Sequence, residues 1–416
     1  MSTEPADGTP RNPYRVSAPA DILSLIPHTL GFEPHESLVL MALCGGRLGA
    51  TLRLDLPHWP AAKAGTAAYA ATARQFLTSD AEADGVLLAM YTEAPWENPA
   101  QPPYRQLVRK LEKELAAAGI PLQDGWLVGA RTWRDYFCIR PDCCPWPGAP
   151  RSQIADSMLN TELVYRGSAF AATLERAVRD SFPEQWPNRR EVGSEQERFA
   201  GVLAGRWCER DQFRRSIRLW TECFSGGGDR LRRDAECAGF LLASLGDRGI
   251  RDALLILAAV GEAAAVDGAE ANGMVRPQLH PLVLPGAAGP PAGEPSVVPL
   301  LPRARRRSSA AADFRSILVG RGACAPDWTL LDRAHAVFTD LVPVAGGDSK
   351  AALLSLLAWI EWARGRGSRA QIYLQHAAEA SPGYRLALLL RELLGTGILP
   401  DWSRSRGGSW PGIPDD

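Results

Sequence analysis

The sequence predicts an α/β N-terminal domain, a mixed sheet with flanking helices, followed by an all-α, tetratricopeptide-like C-terminal half. Three observations carry this. Apolar runs of strand length alternate with amphipathic helical stretches up to residue 150. Beyond that point the periodicity is helical. A span rich in Pro, Gly, Ala and Arg, residues 265–312, then interrupts it and reads as a flexible linker. The 416 residues exceed the roughly 250–300 at which single cores stop growing, so more than one domain is expected.

Residues 1–17 read as a disordered lead. Over 18–30, Ser17 can cap and Pro19 suits a first helical turn, while Ile22, Leu23, Leu25 and Ile26 form an apolar face. Pro27 shortens or kinks that helix. Ser37–Cys44 is a continuous apolar run and Arg47–Leu56 alternates. With Gly45-Gly46 between them they read as a hairpin, its first strand buried on both faces and its second on one. Ala61–Thr78 is Ala-rich and helical, and Gly85–Tyr91 is a buried strand. Pro103–Ala118 places Leu107, Val108, Leu111 and Leu115 on one helix face, and Gly119 closes it. Leu122–Ala130 and Thr132–Ile139 complete the strands of a domain spanning 18–150. A helical region follows at 151–264, then the linker, a helical-hairpin region at 313–400 and a frayed tail at 401–416. Within the hairpin region, Leu354, Leu357, Ala358, Ala370, Leu374, Ala377 and Pro382 fall at the packing positions of one roughly 34-residue tetratricopeptide unit.

The formal net charge is -1, so no overall field draws the chain to nucleic acid or membrane. The opening residues lack an apolar targeting core, and the longest apolar stretch, Ala351–Ile360, falls short of the ~20 residues that span a bilayer. The expectation is a cytoplasmic protein whose eight cysteines are reduced. No G-x-S-x-G, H-E-x-x-H, Walker A or G-x-G-x-x-G motif occurs, which leans away from an enzyme. The Gly-rich Ser225–Asp229 lacks the lysine of a phosphate loop and reads as a turn.

Three constellations are candidates for chemistry. Cys138, Cys143 and Cys144 lie in a loop held by Pro141, Pro145, Pro147 and Gly148. Zinc favours thiolates from such turns, but structural sites take four ligands, and a fourth would come from afar, as from His28, His35 or His58. Adjacent cysteines rarely face one ion, so the ordinary reading is a packed thiol cluster, with a redox switch as the other alternative. No other cofactor is expected. Asp55, His58, Tyr91 and Glu93 sit at or beyond predicted strand ends, where α/β folds open ligand sites, and Asp135 lies within a later strand. Such carboxylates more often bond local backbone. Arg206, Arg210, Arg214 and Arg218 recur every fourth residue on a predicted helix, an anion-binding stripe unless Glu209, Asp211 and Glu222 neutralise it. The basic run at 303–307 reads as solvated linker. Trp126, Trp133, Tyr136, Phe137, Trp359 and Trp362 read as core.

The segments DILSLIPHTLGFEPHESLVLMAL, DGVLLAMY, WRDYFCIRPDCCPWPG and AWIEWARGRGSRAQIYLQHAAEASPGYRLALLL, in that order, resemble an actinobacterial family catalogued as domain of unknown function 4192. The resemblance supports the domain layout and implies no activity. The expected function is therefore that of a non-catalytic cytoplasmic binding or regulatory protein with a helical-repeat-like interaction surface and a protein partner. The alternatives are a small-ligand-binding protein or enzyme with its site at the strand ends, and nucleic-acid binding through the arginine stripe, which the near-neutral charge disfavours.

Overall fold

The structure is a computed structural model and describes residues 18–58, 65–80, 82–226, 228–286, 304–322, 325–404 and 408–410. The expected disordered lead, most of the PGAAGPPAGEP stretch, Arg303 and Cys324 lie outside the described residues. The chain divides into two compact units, one up to Ala177 and one from Val178 onward.

The first unit runs α1 (Pro19–Leu30), β1 (Ser37–Cys44), β2 (Arg47–Asp55), α2 (Thr66–Leu77), β3 (Gly85–Tyr91), α3 (Arg105–Ala117), β4 (Leu122–Val128), β5 (Thr132–Asp135), β6 (Ala149–Pro150), α4 (Ser152–Ala155) and α5 (Met158–Tyr165), with the boundary falling inside α6 (Leu174–Arg179). Its mixed sheet has the order β2-β1-β3-β4-β5-β6. β3 and β4 pair in parallel, joined by the α3 crossover, and the other neighbours are antiparallel. Successive strand residues point to opposite faces. Leu38, Leu40, Val86 and Leu88 therefore meet Ala70, Ala73, Leu107 and Leu111 of α2 and α3 on one side. Val39, Met41, Ala89 and Tyr91 meet Leu23 and Ile26 of α1 on the other. Each Leu sealed in this way contributes about 1.5–3 kcal/mol of burial free energy.

Local chemistry explains the departures from the expected pattern. The alternation of β2 places Leu48 on the face of Leu52 and Leu54. However, the register with β1 shifts between Met41 and Leu43, which pair with Thr51 and Leu48. One extra residue on β2 turns Leu48 to the α1 side, while Leu52 and Leu54 stay with α2 and α3. β5 stops at Asp135 rather than Ile139 because the Asp135 carboxylate accepts the N–H groups of Phe137 (2.8 Å) and Cys138 (2.9 Å), folding the chain into an Asx turn. Pro27 does not end α1, which closes four residues later on left-handed Gly31. α4 and α5, placed by sequence in the helical half, belong to the first unit. His28 of α1 bonds Ser168 (2.9 Å) and Asn160 (3.0 Å) through its two ring nitrogens, and Asp21 accepts the N–H of Leu159 (3.3 Å).

The second unit is helical: α7 (Arg189–Val202), α8 (Arg210–Gly226), α9 (Gly228–Arg233), α10 (Ala235–Ser244), α11 (Arg248–Val260), α12 (Glu262–Ala271), α13 (Ala304–Leu318), α14 (Trp328–Leu341), α15 (Gly347–Ala363), α16 (Gly367–Ala380) and α17 (Arg385–Gly395), then a 3-10 turn at Asp401–Arg404. α15 is buried on every side from Ala351 to Ala363, as a stretch apolar but for Ser355 and Glu361 requires. It packs on α16 as a helical hairpin in which Ala358, Ala370 and Ala377 are fully enclosed. Trp359 and Trp362 are core, their indole N–H groups donating to the carbonyls of Leu318 (2.9 Å) and Ile398 (3.0 Å).

Both ends of the span expected to be linker are structured. Residues 265–271 continue α12 and residues 304–312 lie in α13. Their Ala and Gly content serves close packing. A Cβ on Gly268 would lie 2.5 Å from the Phe314 ring, so glycine is what lets α12 and α13 approach. The tail is also partly tied down, with Trp402 buried and donating to the Ala363 carbonyl (3.0 Å). Among the described residues, no helix is long and apolar enough to cross a membrane.

Candidate functional site

Asp55, His58, Tyr91 and Glu93 share one end of the sheet, where Ser37 pairs with both Asp55 and Tyr91. Their side chains do not converge. Tyr91 is buried against α1 and its hydroxyl reaches the Leu23 carbonyl (3.4 Å), and burial raises its pKa. Exposed Asp55 pairs with Arg53 (2.6 Å), whose Nε donates to Ser37 Oγ (2.9 Å). His58 is exposed. The carboxylate of Glu93 stands 3.9 Å from His35. The organising residue here is Glu36, which sequence reasoning passed over. It adopts φ 40°, rare for a side-chain-bearing residue, and its carboxylate accepts Thr92 Oγ1 (2.9 Å) and the Glu93 N–H (2.8 Å). These groups bond to one another and to backbone, which builds a rigid strand end.

The arginine stripe is shorter than its spacing suggests. Arg206 precedes α8 and donates to the carbonyls of Val202 (3.2 Å) and Pro281 (2.7 Å). Arg214 pairs with Glu270 (2.6 Å), and Arg218 with Glu262 (3.2 Å) and Glu222 (3.5 Å). Glu209, expected to face the stripe, is buried and accepts from His280 Nδ1 (2.6 Å) instead. Glu222 is local to the stripe, whereas Glu262 and Glu270 come from α12, and Glu270 lies within the span read as linker. Arg210 stays exposed at the helix start.

The three cysteines of the loop come together as a cluster. The sulfurs of Cys138, Cys143 and Cys144 all lie within 4.8 Å of one another and could hold a metal ion, with Cys143 and Cys144 3.9 Å apart. Adjacent cysteines share one side because the chain turns between them, the Cys144 N–H donating to the Arg140 carbonyl (2.8 Å). Buried Arg134 fastens both ends of the loop. It donates to the carbonyls of Cys138 (2.8 Å) and Pro145 (3.4 Å), and its guanidinium stacks on Trp96 (5.4 Å) and Trp146 (5.2 Å). The Arg140 backbone N–H, then the Cys144 thiol, hold Cys138 below the usual thiol range. Burial, then the bond to Cys138, pushes Cys144 up. Cys138 therefore ionises before Cys144. His28, with both nitrogens bonded, and His35 and His58 do not join the cluster.

Two polar features of the helical unit were not anticipated. Glu361 of α15 is almost fully buried, pairs with Arg364 (2.6 Å) and lies 3.3 Å from His335 of α14. Burial alone would raise its pKa. The bond to His335 and the charges of Arg364 and Arg366 outweigh that and hold the carboxyl well below its usual range. Burial lowers the pKa of His335. The second feature is a cavity of about 410 Å³ lined by Arg248, Arg251, Asp348, Ser381, Tyr384 and Arg385, with Leu245, Gly246, Pro382 and Gly383 completing the wall. Arg251 is fixed by Asp252 (2.6 Å) and the Tyr384 hydroxyl (3.2 Å), while Asp348 accepts from Ser381 Oγ (2.6 Å). Arg248 and Arg385 are exposed at the cavity. Arg248 and Arg251 share α11, but Arg385 comes from α17, so local spacing does not mark the three as one group.

Fold and sites together define a protein of two units, an α/β unit with a turn-held cysteine cluster and a helical unit with an arginine-lined cavity. The chain belongs to the family described as "Domain of unknown function (DUF4192)", which matches residues 19–269 and 323–401. No curated protein and no solved structure matches it.

Proposed function

We propose that this is a non-catalytic cytoplasmic binding or regulatory protein whose tetratricopeptide-like hairpin, α15–α16, contributes to a site for an acidic segment of a protein partner. The observation that carries the reading is the cavity at the end of that hairpin. Asp348 lies in its first helix, Ser381 follows its second, and three arginines face a single aspartate. The guanidinium fork matches a carboxylate in two parallel hydrogen bonds, and Arg251 is already oriented by Asp252 and Tyr384.

Titration of the full chain with a fluorescein-labelled oligoglutamate peptide, read by anisotropy, tests this. Saturable binding is expected. It should weaken about tenfold or more in the Arg248→Ala/Arg385→Ala double variant, the loss expected for charge-assisted bonds. Arg210→Ala/Arg214→Ala should leave it unchanged. No binding, or equal loss in both pairs, would exclude the cavity as the site.

A further inference from the structure

We propose that Cys138, Cys143 and Cys144 form a three-thiolate site for a single Zn²⁺ ion, with the fourth coordination position open to an exogenous ligand. It lies in the α/β unit and does not rest on the partner-binding reading. A tetrahedral zinc site with Zn–S bonds of about 2.3 Å has sulfur–sulfur edges of about 3.8 Å. Cys143 and Cys144 already stand at 3.9 Å, and the whole triad fits within 4.8 Å. Closing around an ion needs only small side-chain rotations.

The backbone that carries the thiols is fixed independently of them. Arg134 binds the carbonyl at each end of the loop, Asp135 caps its start through the Cys138 N–H (2.9 Å), and the Cys144 N–H closes the turn on Arg140. A packed thiol cluster needs no such support. The other described cysteines are not grouped in this way: Cys208, Cys223 and Cys237 are buried, and the Cys208 thiol donates to Asp247 (3.1 Å). Among the described residues, no histidine or carboxylate joins the triad as a fourth ligand, and Cys143 is exposed. Three protein ligands and a solvent-facing position are the arrangement of a zinc site that accepts water or an external donor, rather than that of a closed structural site. On binding, the three S–H bonds break, three Zn–S bonds form and the thiol protons pass to buffer, so the step is not redox and is favoured by rising pH.

The test uses the full, reduced chain stripped of metal. Titration with Co²⁺ should give a thiolate-to-cobalt charge-transfer band that saturates at one metal per chain and is bleached by Zn²⁺. Cys143→Ser should weaken binding by more than about 100-fold, because even an outer-shell partner is worth 10–100-fold. Cys44→Ser should leave the band intact. In the unsubstituted chain, Zn²⁺ should protect exposed Cys143 from alkylation, a readout that does not depend on any variant folding. Absence of the band, its survival in Cys138→Ser/Cys143→Ser/Cys144→Ser, or an unreduced mass showing a disulfide and no affinity for zinc after reduction would each overturn the proposal.

Discussion

Glu361 shows how one buried carboxylate sets the behaviour of its neighbourhood. It joins α14 to the hairpin through His335 and pairs with the nearly buried Arg364, which also bonds Asp332. Removing one partner of a buried pair leaves the other charged and unsolvated, so Glu361→Gln should cost about 3 kcal/mol in urea unfolding. The pH dependence has a definite sign. The folded carboxyl titrates below its unfolded value of about 4.3, so its stabilisation is complete above that pH and is lost as pH falls towards the folded pKa. His335 also has a lowered folded pKa, so below about 6.5 the unfolded chain takes up a proton that the folded chain resists. Both groups make stability fall with acidification. His335→Gln should flatten the upper part of the curve, near pH 5–6.5, measured as the shift in urea midpoint. An unchanged profile would mean that His335 titrates as it does in the unfolded chain. The sequence showed Glu361 only as one charge inside an apolar helix. Arg364 stands at i+3, within reach of local spacing, but His335 and Asp332 come from α14, which linear spacing does not bring to it. The cysteines were legible as a cluster because all three fall in one short loop. That they face one another depends on the turn at Arg140, which residue types alone do not reveal.

At the scale of elements, the strands and amphipathic helices of the first unit could be read because their burial is periodic, as Leu107, Val108, Leu111 and Leu115 demonstrate. The misreadings share a cause. β6 is two residues long and exists because Ala149 and Pro150 return beside β5, a non-local pairing. α12 carries too many small residues to show a hydrophobic face, yet those residues are what a close helix pair requires. The α7–α10 pair is the sharper case. A Cβ on Gly239 would lie 2.5 Å from Glu195 Cβ and 2.8 Å from the Gln196 backbone nitrogen. Gly to Ala inside an exposed helix is stabilising by about 1 kcal/mol. Here the neighbour is backbone and cannot rotate away, so the two helices must separate at an overpacking cost of about 1–3 kcal/mol. Gly239→Ala should therefore destabilise the chain, or at best leave it unchanged, in equilibrium urea unfolding. A clear gain in stability would show that α7 and α10 lie further apart than the structure places them.

At the scale of the molecule, the chain is two units with separate cores, and the first has what a free-standing domain requires. Every residue in the two clusters that cover its sheet lies between Ile22 and Ile154, and all strand pairing is internal to it. A chain of roughly 150 residues buries about 70% of its unfolded surface, enough for an independent core. The hydrogen bonds of His28 and Asp21 extend the required segment to Ser168, beyond the sheet itself. Residues 18–173, expressed alone, should therefore unfold in a single cooperative thermal transition and give dispersed amide resonances. A shorter piece ending at Pro150 should lose stability, because it removes Ser168 and Asn160, the partners of the two ring nitrogens of His28, at about 1–3 kcal/mol for each nitrogen that stays buried. If residues 18–173 instead form a compact state that binds hydrophobic dye and melts without cooperativity, the core of the α/β unit depends on residues from Leu174 onward. The longer piece should also retain the cysteine loop and its Co²⁺ band while failing to bind oligoglutamate, which separates the two proposed activities by unit.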